Sequence, residues 1–201
     1  SEYYYFYFSQ IYINLQEYMN IAIIPARGNS KRLEKKNLQL INGKPLIYYA
    51  LKACFKSKFI DDVFVSSENR EILSYSKGIG ASIIKRPRYL SADNVPKQKV
   101  VVNALKTIKK KYEYVFSIQA NSPQISYKDL DKAFIKLKKN KRSELISINH
   151  KLEQNAAFRI MKYNYAFQKT LSTGICVYKT NYIDVHYRQD LIRVTKLMSN
   201  E

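Results

Sequence analysis

Arg27, Lys31, Arg32, Lys35 and Lys36 fall within the stretch Pro25-Ala26-Arg27-Gly28-Asn29-Ser30-Lys31-Arg32-Leu33-Glu34-Lys35-Lys36-Asn37. A bend of small residues (Gly28, Asn29, Ser30) lets successive backbone N–H groups converge on an anion, and the surrounding cations neutralise its charge. That combination suits phosphate. The stretch matches neither G-x-x-x-x-G-K-[ST] nor G-x-G-x-x-G, which excludes a P-loop and a dinucleotide fingerprint. A solvated basic loop has the same composition, so position matters. The stretch directly follows the apolar run Ile21-Ala22-Ile23-Ile24, and in an open α/β sheet ligands bind at the carboxyl ends of strands.

The elements that must carry this loop repeat along the chain. Short Val/Ile-rich runs at 21–24, 62–66, 81–84, 114–118 and 145–148 read as strands buried on both faces. Helical stretches fall between them at 45–56, 69–77, 96–111 and 126–139, the last opened by Ser126 with Asp129 at capping-box spacing. Beyond residue 150 the alternation weakens: strands are expected at 157–161 and 171–178, a loop at 179–189, and a helix near 190–198. The pattern predicts an α/β fold of three layers, with a mostly parallel central sheet between helices. Residues 1–18, with six Tyr and two Phe, read as an aromatic-rich extension without a catalytic role, and residues 19–201 as a single domain.

Composition narrows the classes. Lys+Arg number 35 against 16 Asp+Glu, a formal net charge of +19, with 46% hydrophobic residues; the apolar content is too high for a disordered basic tail. Cys54 and Cys176 stand alone, without the spacing of a zinc site or a disulfide scaffold. No apolar run reaches the length of a membrane span, and the aromatic opening lacks a signal-peptide pattern. A cytoplasmic location is expected, with neither membrane nor nucleic acid as partner, because no nucleic-acid motif accompanies the charge. The lysines of 106–111 and 136–142 sit at helix ends, where cations complement the macrodipole.

The order of motifs resembles the acylneuraminate and KDO cytidylyltransferases, enzymes that couple acidic sugars to CMP. The resemblance rests on Ile24-Pro25-Ala26-Arg27-Gly28-Asn29-Ser30-Lys31-Arg32 with Lys36-Asn37, on Gly43-Lys44-Pro45-Leu46 and on Val63-Phe64-Val65-Ser66-Ser67. It continues in Arg86-Pro87-Arg88-Tyr89-Leu90-Ser91-Ala92-Asp93 and Ile118-Gln119-Ala120-Asn121-Ser122-Pro123. It implies a Rossmann-like fold of the nucleotide-diphospho-sugar transferase type, with CTP and an acidic sugar (a sialic, legionaminic or pseudaminic acid) as substrates. By resemblance, Arg27 and Lys36 contact the triphosphate as catalytic residues. Ala26, Gly28, Asn29, Ser30, Asn37, Arg86, Ser91 and Asp93 bind the nucleotide, and Gln119, Asn121 and Ser122 face the sugar.

The family's carboxyl-terminal I-D-I-D element has its counterpart in Ile183-Asp184-Val185-His186. Asp184 and His186 are thereby implied as metal ligands, for Mg2+ or, given the imidazole, a softer ion such as Mn2+. Alternating residues project to one side of a strand-like segment, which lets both reach one ion. Two departures stand out. Asn103 takes the place of a frequent His, and the stretch between 148 and Asp184 is about half the family's usual length. In the family the missing part ordinarily reaches a partner subunit, so the resemblance implies a homodimer and the shortened stretch argues against it.

Overall fold

The computed structural model describes residues 19–170 and 172–199. Its centre is a seven-stranded sheet formed by β1 (Ile21–Pro25), β4 (Asp62–Ser67), β5 (Ser82–Lys85), β6 (Tyr114–Ile118), β7 (Glu144–Ile148), β8 (Gln154–Lys162) and β9 (Ile175–Lys179). A separate hairpin pairs β2 (Leu40–Ile41) with β3 (Lys44–Pro45). Strand order is β5-β4-β1-β6-β8-β7-β9. All neighbouring pairs are parallel except those of β8, which runs antiparallel to both β6 and β7. The expected mostly parallel sheet is present, with one reversed strand.

Among the described residues five α-helices accompany it: α1 (Leu46–Lys56), α2 (Arg70–Gly78), α3 (Lys97–Ile108), α4 (Tyr127–Lys139) and α5 (Arg188–Met198). Period-two alternation along β1 decides what each covers. Ala22 and Ile24 enter a core with Ile47, Leu51 and Cys54 of α1, Ile72 of α2, and Leu130, Phe134 and Leu137 of α4. Ile21 and Ile23 point the other way, onto Val101, Ala104 and Leu105 of α3. Burying such side chains contributes about 1.5–3 kcal/mol each, which holds the three layers together. Asn69 and Ser126 cap α2 and α4 by accepting backbone N–H bonds from Ile72 (3.0 Å) and Asp129 (3.1 Å).

A third, smaller core lies at the site end. Leu191 and Val194 of α5 pack with Val185 against Leu33 of the loop after β1, Ile41 of β2 and Leu46 of α1. The carboxyl-terminal helix therefore clamps the basic loop rather than the sheet. No described helix is long and apolar enough to cross a membrane.

The boundaries at the sheet's second half differ from the sequence expectation. β8 is longer than 157–161, because it pairs with β6 and β7 at once and each neighbour extends it in a different register. β9 starts at Ile175 rather than 171: Gly174 accepts the Ser143 N–H at 3.0 Å and marks where pairing with β7 begins, while residue 171 lies outside the described residues. The aromatic extension 1–18 also lies outside them.

Candidate functional site

The carboxyl ends of β1, β5 and β6 open on one cleft of about 490 Å3. Pro25 of β1 leads into the basic loop. Ala26 is fully buried, and its N–H donates to the Ser66 carbonyl at 3.0 Å, so it fastens the loop to β4 with its side chain in the core. Gly28 passes so close to Asn69 that an added Cβ would lie 2.6 Å from the Asn69 Cβ. Only glycine fits there. Its N–H donates to Glu68 Oε1 at 2.7 Å, so this donor faces a carboxylate of the protein and not the cleft. Asn29 is exposed and outside the lining, while Ser30 lines the cleft. Asn37, buried, donates from Nδ2 to the Arg27 carbonyl at 2.9 Å and fixes the far end of the loop.

Lys35 holds a left-handed backbone (φ 45°) and pairs with Glu71 at 3.2 Å. This uncommon conformation for a residue with a side chain turns the chain into the 3-10 turn Lys36–Leu38 and presents Lys36 to the cleft. Burial, with Arg27, Arg32 and Lys97 nearby, pulls the Lys36 ammonium down to about 8, against the opposing pull of Asp184. The cations thus outweigh the anions around Lys36, as expected of a site built for a polyanion.

Arg27 and Lys31 both bind Asp93, Lys31 at 3.0 Å. These hydrogen bonds, from Lys31 and then Arg27, hold the Asp93 carboxyl below its usual range. Arg86, at the end of β5, is anchored differently. Its guanidinium reaches Glu68 Oε2 at 3.0 and 3.2 Å and Ser91 Oγ at 2.9 Å, while Ser91 donates to the same Glu68 oxygen at 2.6 Å. Burial raises the Glu68 pKa, and the bonds from Ser91 and Gly28 with the Arg86 charge more than reverse this, leaving it below the usual range. One carboxylate therefore ties together the β1 loop, the end of β5 and the turn at Arg88–Ser91.

Beyond β6 the substrate-side residues separate. Gln119 lines the cleft, held by its N–H to the Ala157 carbonyl (2.8 Å). Asn121 lies at the cleft edge, but its side chain donates to the Val185 carbonyl and its own carbonyl accepts the Val185 N–H, both at 2.9 Å. Ser122 is fully buried, outside the lining, and donates to Asp184 Oδ1. Asn121 and Ser122 thus pin the segment 184–186 to β6, a positioning task that differs from the expected contact with the sugar. Asp190 accepts the N–H groups of His186 (2.9 Å) and Tyr187 (2.8 Å), tying the same segment to α5.

Burial raises the Asp184 pKa, opposed by Ser122, Lys97, His186 and Gln119. Burial, with Lys36 and Arg32, lowers that of His186 and keeps its imidazole neutral near pH 7. Among the described residues no three His, Cys, Asp or Glu side chains gather as a metal-binding group. The protein's donors at this point are the Asp184 carboxylate and a neutral ring nitrogen. Mg2+ commonly takes one or two carboxylates and completes its shell with substrate phosphates and water. Asp184 fits that role, whereas the imidazole adds little for a hard ion.

Two residues escaped the sequence reading. Glu68 looked like any acid after a strand. Lys97, the first residue of α3, also lines the cleft and donates to the Gln119 side-chain carbonyl. A signal existed for it: Lys97 and Lys99 place cations in the first turn of a helix that has no acid there, against the macrodipole. Such a local inconsistency marks a functional position.

Comparison with known proteins agrees with this geometry. The sequence profile described as cytidylyltransferase matches residues 21–188. The pseudaminic acid cytidylyltransferase of Campylobacter jejuni subsp. jejuni serotype O:2 is 34% identical over 125 residues, covering 60% of this chain and 54% of that protein. The N-acylneuraminate cytidylyltransferase of Escherichia coli O18:K1:H7 is 33% identical over 103 residues, covering 51% of this chain and 24% of that protein. The chain thus spans about half the length, or less, of these curated relatives. The fold is shared with a CMP:2-keto-3-deoxy-manno-octonic acid synthetase solved with CTP (TM-score 0.74, 14% identity, 90% of this chain and 99% of that one). A cytidylyltransferase from Leptospira borgpetersenii serovar Hardjo-bovis gives a TM-score of 0.71 at 16% identity, over 91% of this chain and 88% of that one.

Proposed function

We propose, from the premise that this chain belongs to the cytidylyltransferase family, that it couples CTP to a nonulosonic acid, giving a CMP-sugar and pyrophosphate. The observation that carries this reading is the gathering of Arg27, Arg32, Lys36 and Lys97 along one cleft, where burial and then the neighbouring cations lower Lys36 to about 8. Curated relatives named for pseudaminic and N-acylneuraminic acids support the acidic acceptor.

In the proposed reaction the anomeric hydroxyl of the sugar attacks the α-phosphorus of CTP and pyrophosphate leaves. Such a transfer is driven mostly by positioning and by neutralising negative charge as it spreads over the phosphate oxygens. Lys36, Arg27 and Arg32 line the cleft where that charge develops, and Lys31 reaches it from the rim. Arg27 and Lys31 release Asp93 when the stronger anion arrives. The Glu68–Arg86–Ser91 group shapes the wall beside the base, and Gln119 faces the acceptor. Asp184 would hold a divalent ion, Mg2+ or Mn2+, whose chemistry when bound is to neutralise phosphate charge. Location in the cytoplasm and a part in making surface polysaccharide fit this reading as proposals.

The test is pyrophosphate release with CTP, Mg2+ and each of several nonulosonic acids, with the other nucleoside triphosphates as controls. Release that needs both CTP and an acid supports the reading, and release with none of the acids despite CTP binding rejects it.

A further inference from the structure

We propose that the Lys97 ammonium recognises the carboxylate of the acceptor sugar, a specificity role that rests on the transfer reaction proposed above. Among the cations of the cleft some are held by carboxylates, while Arg32 and Lys36 on the β1 loop and Lys97 on α3 form none of the ion pairs among the described residues. Arg27 and Lys31 share Asp93, and Arg86 is held by Glu68. Lys97 stands apart on α3, where its described hydrogen bond goes to the neutral side-chain carbonyl of Gln119. None of the ion pairs among the described residues involves it.

An ammonium has three N–H donors. With one directed at Gln119, two remain for the two oxygens of a carboxylate. Lys97 is exposed to the cleft, and the protein atoms around its ammonium still pull its pKa down, with Asp184 opposing them. Its place at the first turn of α3 adds the unfavourable end of the helix dipole. Each of these costs is relieved by an anion arriving beside Gln119.

The chemistry of the acceptor says which anion that is. In a 2-keto acid sugar the carboxylate is bonded to the anomeric carbon, so it lies one bond from the carbon whose hydroxyl attacks phosphorus. A group that reads the carboxylate must stand beside the reacting centre. Lys97 meets that condition: it lines the cleft shared with Lys36 and touches Gln119 at the end of β6. The triphosphate has its own partners on the β1 loop, which leaves Lys97 to the acceptor.

The experiment compares the unaltered protein with Lys97→Met and Lys97→Arg. For each, KM is measured for CTP and for the sugar. Binding of the free acid and of its methyl ester is measured by calorimetry on protein saturated with a non-hydrolysable CTP analogue. Losing a charged hydrogen bond predicts a rise of about ten- to a hundred-fold in sugar KM for Lys97→Met, with CTP KM changed less than about twofold. Preference for acid over ester should collapse in Lys97→Met and return in Lys97→Arg. The inference is overturned if CTP KM rises as much as sugar KM, which makes Lys97 a phosphate ligand. It is equally overturned if acid and ester bind the unaltered protein alike, or if the preference survives in Lys97→Met. Preferential acid binding without turnover upholds the recognition role and rejects the transfer reaction instead.

Discussion

Replacing Lys36 by Met is expected to stabilise the ligand-free protein while removing most of its affinity for CTP. The fall of the Lys36 pKa from 10.5 to about 8 means that its surroundings disfavour the charged form by roughly 3 kcal/mol, at about 1.4 kcal/mol per tenfold. Met keeps the apolar stem and deletes the charge, so about 1–3 kcal/mol of stability should return after relaxation, a rise in Tm of about 2–10 °C for a domain of this size. The pH dependence has a definite sign. Between pH 8 and 10.5 the unfolded chain binds this proton and the folded chain does not, so the penalty is full below pH 8 and disappears as pH approaches 10.5. The Tm gap between the Met variant and the unaltered protein should close over that window. CTP acts oppositely: saturation at about a hundred times Kd stabilises the unaltered protein by about 2.7 kcal/mol, and the variant should show little of this. The assay is thermal unfolding of both proteins from pH 7 to 10, with and without CTP. A lower Tm for ligand-free Lys36→Met at pH 7, or an undiminished CTP shift in the variant, refutes the reasoning.

Gly28→Ala should cost about 1–3 kcal/mol, because the new methyl meets Asn69 at 2.6 Å and Asn69 cannot move without uncapping α2; chemical denaturation measures it. Glu68→Ala strands Arg86, whose side chain is only 3% exposed, and should destabilise by about 3–5 kcal/mol, whereas Glu68→Gln keeps part of the hydrogen bonding and costs less. Asn121→Ala frees the Val185 carbonyl and should lose about 1–2 kcal/mol, with kcat falling more than CTP affinity because one of the bonds that position Asp184 is gone; steady-state kinetics beside direct CTP binding separates the two.

The layered fold was legible because strands covered on both faces are continuous apolar runs and the helices between them carry their own caps, as Ser126 does. The reversal of β8 was not, since Gln154–Lys162 has the same local composition whichever way it runs; only its pairing with β6 and β7 sets direction. Motif order brought Arg27, Ser30, Lys36, Asn37, Arg86, Ser91, Asp93, Gln119 and His186 to one cleft. It did not distinguish residues that face the cleft from those that hold its walls, because that depends on partners far away in sequence: Gly28 on Glu68, Asn121 on Val185, Ser122 on Asp184. The +19 charge divides in the same way. Arg27, Lys31, Arg32, Lys36 and Lys97 line the mouth, while Lys106 and the lysines 136, 138 and 139 occupy the last turns of α3 and α4, at the opposite end of the parallel strands.

Mass spectrometry of the product formed from CTP and a nonulosonic acid is the decisive test of the proposed transfer. The expected product is a species in which CMP is bonded to the sugar, formed in step with pyrophosphate and absent for Arg27→Ala. Pyrophosphate accompanied only by free CMP, or the same product from Arg27→Ala at an unchanged rate, would contradict it.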